Sequence, residues 1–203
     1  MAKIKKTKNE LKTQREALER FHRFLPTLEL KKQQLQKEVR RVEAALRESA
    51  QRETDAWAGL RPWVRLLDSY EELAPHVRLQ EVGTETTNIA GVTVPVYAEV
   101  RFDDTAVDYY ETPAWFEEAI AALRELTEVR VEQVVLEEQR GLLAEELRIT
   151  SQRVNLFEKV MIPRTEENIR VIQIALGDAQ TAGVVRAKIA KSKGQELVSG
   201  ATG

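Results

Sequence analysis

Proline and glycine are nearly absent from two long stretches of this 203-residue chain, and that scarcity limits what it can fold into. From Thr7 to about Tyr70 the residues favour helix, with Pro26 inside the stretch and Gly59 and Pro62 weakening its far end. Helix-favouring residues return from Pro113 to Lys193, where Pro163 is the internal proline. A helix of about 65 residues, rising 1.5 Å per residue, extends on the order of 100 Å, several times the usual length in a globular domain. It stays folded in water only if it buries one side along its length, and the second stretch is long enough to supply the partner. The expected fold class is therefore mainly α: a long antiparallel two-helix coiled coil formed by the N- and C-terminal arms, with a small central β-hairpin and short-helix insert. The boundaries expected are an arm over 1–70, an insert over 71–112, an arm over 113–193 and a flexible tail over 194–203.

The first arm carries a heptad seam at alternating spacings of three and four: Leu11, Gln14, Leu18, Phe21, Leu25, Leu28, Lys32, Leu35, Val39, Val42, Leu46, Ser49, Glu53, Ala56, Leu60, Trp63 and Leu67. So narrow an apolar stripe is that of a coiled coil rather than of a helix lying on a globular core. Lys32 and Glu53 interrupt it and either set register, the favoured reading, or mark places where another protein replaces the partner helix. Pro26 lacks an N–H and crowds the carbonyl of His22, so a kink or local opening is expected there.

In the insert, Val92, Val94, Val96, Val100 and Phe102 alternate with Thr93, Pro95, Tyr97, Glu99 and Arg101, the period of a half-buried strand. Pro95 points to an edge or short strand. Asn88-Ile89-Ala90-Gly91 carries turn chemistry, with Gly91 free to take positive φ, which makes Val77–Thr87 the expected first strand. A lone hairpin is marginal in water, so this one must pack against the helices, a short helix near Trp63–Leu73, or a partner.

The second arm opens with Thr112-Pro113, read as N-cap and first helical residue, followed by Glu117 and Glu118, which favour a helix N-terminus. Trp115, Phe116, Ala119, Ile120 and Leu123 are its inward face. A second seam runs through Leu143, Leu147, Thr150, Val154, Phe157, Met161, Arg164, Asn168, Val171, Ala175, Asp178, Ala182, Val185 and Ile189. Its polar members imply imperfect packing or a slip of register after Pro163. Beyond Lys193 a small, polar run is expected to fray.

The net charge of −2 conceals a pattern. The two ends of the chain are basic and the middle is acidic, so a chain folded back on itself has a basic pole holding both termini. With no cysteine, disulfides and thiolate metal sites are excluded. Phosphate-binding glycine loops are absent, and no apolar run is long enough to span a membrane. His22 and His76 lie in no metal-binding pattern and are read as ordinary surface or seam residues. The carboxylate pairs Glu117/Glu118, Glu137/Glu138 and Glu145/Glu146 read as solvating charge. The expectation is a chain that is not an enzyme, holds no cofactor or metal, and resides in the cytosol. The competing reading is a coiled-coil adaptor or nucleic-acid-binding arm. Nucleic-acid binding is disfavoured because Glu10, Glu16, Glu19 and Glu29 alternate with the basic residues and no aromatic platform lies among them.

Three segments carry a resemblance that periodicity cannot supply. Phe24-Leu25-Pro26-Thr27-Leu28-Glu29-Leu30-Lys31-Lys32 resembles the N-terminal helix of the D subunit of V-type (V/A-type) rotary ATPases, in its bacterial branch. Arg153-Val154-Asn155-Leu156-Phe157-Glu158, then Ile162-Pro163-Arg164, is similar to that family's C-terminal segment, and Ile89-Ala90-Gly91-Val92-Thr93-Val94-Pro95 to its hairpin. The resemblance implies the central axle of a rotary ATP synthase, transmitting torque between the membrane ion-translocating ring and the catalytic hexamer. It implies as partners the catalytic A and non-catalytic B subunits, the F subunit, and the funnel-shaped C/d subunit above the ring. It also implies a place at the cytoplasmic face of the membrane without insertion into it. Pro26, Arg153, Pro163, Gly91, Val92, Val94 and Lys188 are the candidate interaction or structural residues. Pro26 and Pro163 are expected to lie near one another and share a bend.

Overall fold

The computed structural model describes residues 4–61, 64–67, 73–103, 106–107 and 112–200. Helix α1 spans Lys8–Leu60, followed by single turns α2 (Val64–Leu67) and α3 (Leu73–His76). Strands β1 (Leu79–Ile89) and β2 (Val92–Phe102) form a two-stranded antiparallel sheet. Helix α4 (Phe116–Leu156) passes through a π-helical turn, Phe157–Met161, into α5 (Ile162–Gly200). The described chain is thus mainly α, with long N- and C-terminal helices and a small sheet between them, as expected. Trp63 of the expected seam lies outside the described residues, as does the side chain of Leu67.

Thr7 caps α1: its Oγ1 accepts the N–H of Glu10 at 3.3 Å, and its carbonyl accepts that of Leu11. Every seam position from Leu11 to Leu60 is buried or half-buried, so the heptad reading of α1 holds residue by residue. The helix runs on through Pro26.

The chain divides into two compact units, one of Met1–Leu30 with Ser151–Gly203, the other Lys31–Thr150. Within the Lys31–Thr150 unit α1 and α4 run antiparallel, tied by Lys31 to Glu146 at 2.6 Å and by Arg52 to Glu132 at 2.5 Å. Leu35, Val42 and Leu143 are buried between them together with Val94 of β2. The hairpin therefore does not stand alone: Ile89, Ala90 and Val92 at its tip pack on this cluster. Eleven strand residues at about 3.3 Å each cover roughly 36 Å, the same length of α1 as separates Leu60 from Leu35. A second cluster, Leu73, Phe116, Ala119 and Ile120, joins α3 to the start of α4, with Val107 and Trp115 against it.

Two boundaries differ from expectation. Strand β1 is Leu79–Ile89 rather than Val77–Thr87, because the turn uses only Ala90 and Gly91, at φ of 51° and 82°. Positive φ at both positions is the two-residue hairpin turn whose twist matches the strands. Helix α4 starts at Phe116 rather than at Pro113, and a turn closed by the Phe116 N–H on the Pro113 carbonyl leads into it.

In the unit holding both termini, Phe21 meets Phe157 edge to face, centroids 5.3 Å apart, and Asn168 donates to Gln14 at 3.3 Å. This antiparallel register sets Pro26 level with Gln152 and Arg153, and Pro163 level with the stretch around Ala17. The prolines are about ten residues apart along the pair, roughly 15 Å, rather than adjacent. The expectation of adjacent prolines is wrong because the pairing centre lies between Phe21 and Phe157, not midway between the prolines.

The slip expected after Pro163 occurs just before it. Pro163 has no N–H for the carbonyl of Lys159, and the N–H of Ile162 reaches back five residues to Phe157. The π turn inserts one residue into the helical phase. Beyond it the inward residues are Ile162, Thr165, Ile169 and Ile172, while Arg164 is exposed. The α5 backbone remains helical to Gly200, past the expected end at Lys193.

Candidate interaction surfaces

The candidate residues fall into separate groups. Gly91, Val92 and Val94 come together at the hairpin tip, with Val94 fully buried and Val92 half-buried. Gly91 needs its glycine for its φ of 82°, and its N–H donates to Asn88 Oδ1 at 3.0 Å. A side chain there would also meet the Lys31 ammonium, 3.8 Å from an added Cβ. Pro26 and Arg153 are both exposed at one level of the terminal unit. Pro163 is exposed further along, and Lys188 is exposed on α5 beyond the Gln14–Asn168 contact.

One residue that the sequence did not single out holds the hairpin's base. Arg124 of α4 donates to the carbonyl of His76 at 3.0 Å and to that of Asp103 at 3.4 Å, and its guanidinium sits 5.1 Å from the centre of the Phe102 ring. One side chain thus grips both the entry to β1 and the exit from β2. No local motif signals this, because its targets are backbone carbonyls 48 and 21 residues away.

Glu53, which interrupts the seam, accepts hydrogen bonds from Arg130 at 3.0 Å and Gln133 at 3.1 Å. The Arg130 bond, then that of Gln133, holds its carboxyl below the usual range. Arg130 also lies over the Trp57 ring, 5.6 Å from its centre. Glu53 thus ties α1 to α4 through side-chain hydrogen bonds within the Lys31–Thr150 unit. Lys32 is half-buried, and it is its neighbour Lys31 that crosses to α4.

Charge separates with the units. The terminal unit carries 16 Lys/Arg against 9 Asp/Glu, and the Lys31–Thr150 unit 15 against 24, of totals 31 and 33. Both chain ends thus belong to the basic unit.

The histidines and paired carboxylates singled out in the sequence lie apart from one another. His22 is exposed, whereas His76 is a core residue against Phe116 rather than a surface one, and the two lie in different units. Of the paired carboxylates, Glu146 binds Lys31, and Arg148 holds Glu145 below its ordinary pKa, the wrong direction for a general acid. Among the described residues no cluster of three acidic or histidine side chains could hold a metal ion, and no helix is long and apolar enough to cross a membrane.

The same sequence pattern recurs in known proteins. Residues 10–192 match the family described as the D subunit of ATP synthase. The V-type ATP synthase D subunit of Borreliella burgdorferi is 43% identical over 95% of this chain and 95% of its own. That of Chlamydia caviae is 34% identical over 96% and 95%, and that of Chlamydia trachomatis serovar L2 33% over 96% and 98%. With a family match spanning both long helices and the hairpin, the chain belongs to the family of ATP synthase D subunits.

Proposed function

We propose that this chain is the central rotor stalk of a V/A-type ATP synthase, carrying torque between a membrane ion-translocating ring and a catalytic hexamer. The observation that carries this reading is the seam of α1, buried or half-buried from Leu11 to Leu60 against an antiparallel partner helix in each unit. A torque element needs stiffness, and two helices locked by side-chain packing and cross-helix ion pairs resist bending and twisting better than one. It must also present different surfaces to successive catalytic sites, because equal contacts with all of them shift no equilibrium. The π turn, the one-sided hairpin and the unlike charges of the two units supply such asymmetry.

On this reading the nucleotide is bound and hydrolysed by the hexamer of A and B subunits. The basic unit with both termini faces that hexamer. The acidic unit with the hairpin faces the F subunit and the funnel-shaped C/d subunit, at the cytoplasmic side of the membrane. The absence of native cysteines allows a clean test. A cysteine at the exposed Arg153, joined by a disulfide to one placed on a catalytic A subunit, should arrest ATP turnover, and reductant should restore it. Full turnover with the crosslink complete would contradict the proposal.

A further inference from the structure

The hairpin is held to the helices unevenly along its length. At the base, Arg124 grips the carbonyls of His76 and Asp103 and the Phe102 ring, and the N–H of Asp103 donates to the Arg78 carbonyl at 3.0 Å. At the tip the hold is apolar. Val94 is buried with Leu35, Val42 and Leu143, and Ile89, Ala90 and Val92 pack on that cluster. Among the described residues, no hydrogen bond or ion pair joins residues 80–101 to a helix; those they form stay within the hairpin. Tyr97 in mid-strand stands near Glu128 and Glu132 of α4 without a hydrogen bond to either.

Packing between the two ends is open. Every residue of β1 is exposed except Gly83 and Ile89, which are half-buried. A groove of about 620 Å³ lies beside the tip, lined in part by Ile89, Ala90 and Val96 of the hairpin and by Val42, Ala45 and Leu136 of the helices. A second, of about 430 Å³, lies between Val82 and the α4 residues Thr127, Arg130, Val131, Val134 and Val135. Freeing the tip therefore breaks no hydrogen bond to the helices and withdraws one small apolar cluster from contact. Freeing the base breaks the bonds of Arg124 and parts its cation from an aromatic ring. Local opening is drawn from the end with the fewer such ties.

We propose that the hairpin is a strap that releases from its tip: Val94 leaves the cluster of Leu35, Val42 and Leu143 while Arg124 keeps the base attached and the helix pair stays folded. Closed, the strap keeps Leu35 and Leu143 fully buried; released, it opens them to water. A hairpin without its packing is marginal in water, and Ala90 strains this turn at φ of 51°, so the freed tip loses its ladder as it lifts. The inference concerns the chain alone and rests on neither rotation nor assembly.

Native-state hydrogen exchange on the full chain, followed from water into mildly denaturing urea, tests it. The turn pairs Ile89 with Val92, and alternation then pairs Thr87 with Val94, so the amides of Val92 and Val94 are ladder donors. They should be protected at least about tenfold less than the Asp103 amide and than the α1 amides of Val39 and Val42. Their exchange should also depend much less on urea, because release exposes little surface. In the Val94→Cys variant the chain's single thiol should react through the same opening. It should do so at least about tenfold faster than the thiol of Val154→Cys, a position equally buried in the unit that has no hairpin. One common protection and urea slope for the amides of Val94, Asp103 and Val42 overturns the proposal, since the hairpin then leaves only when the whole unit unfolds. Exchange at Asp103 ahead of Val94, or a Val94→Cys thiol no more reactive than that of Val154→Cys, overturns it as well.

Discussion

The N–H of Ile162 donates to the carbonyl of Phe157, five residues back, and that one enlarged ring resets the phase of the second helix. Side chains before it follow the seam through Val154 and Phe157, and those after it follow Ile162, Thr165 and Ile172. The extra residue sits among the exposed Glu158, Lys159 and Val160. Deleting Lys159 together with Pro163→Ala should restore a regular α-helix with both seam phases kept. Thermal unfolding followed by circular dichroism should show a loss of no more than about 1 kcal/mol. Deleting Glu167 instead, in a regular turn, should misplace Ile169 and Ile172 and cost about 3 kcal/mol or more.

Ala90 holds φ of 51° at the hairpin turn, a conformation that asparagine and glycine adopt more readily. Ala90→Asn should stabilise the Lys31–Thr150 unit by about 0.5–1 kcal/mol in urea unfolding. A loss of stability would mean that the packing of Ala90 on the Leu35–Leu143 cluster outweighs its strain.

Two fully buried seam residues of α1 should respond oppositely. Leu35 fills the space between Val94 and Leu143, and Leu35→Ala should cost about 2–5 kcal/mol. The Oγ of Ser49 is buried without a hydrogen-bond partner, so Ser49→Ala should be neutral or stabilising by up to about 1 kcal/mol. Chemical denaturation of the two variants side by side checks both signs.

Glu53 gives the fold a defined pH response. Its folded-state pKa is lowered, chiefly by Arg130, so the folded chain binds this proton less tightly than the unfolded chain. Its contribution is complete above the ordinary carboxylate pKa of about 4 and is lost as pH falls through the lower folded value. Arg130 is more than half exposed, which limits the contribution to about 1 kcal/mol. The melting temperature of Glu53→Gln should lie below that of the native chain by a constant margin from neutral pH downward, and the margin should close in acid.

Much of this was legible in the residues. Repetition made the α1 seam readable, since each position from Leu11 to Leu60 reinforces the next. The hairpin was readable from the alternation of Val92 to Phe102, and the polar break at Glu53 from its place in the seam. The Thr7-Lys8-Asn9-Glu10 cap was present as a Thr-x-x-Glu pattern. What could not be read depends on partners distant in sequence. The role of Arg124 needs two carbonyls placed by the fold. The level of Pro26 against Arg153 needs the pairing register. The new phase after Met161 needs a hydrogen bond of unusual length, for which Pro163 is a cause but not a signature.

The central claim is that the chain turns inside a catalytic hexamer. The direct measurement attaches a probe through a single introduced cysteine in the hairpin unit, with the hexamer fixed to a surface and ATP supplied. Unidirectional rotation of the probe that stops when ATP is withdrawn is the predicted result. A probe that stays still while the same complexes hydrolyse ATP would contradict the account.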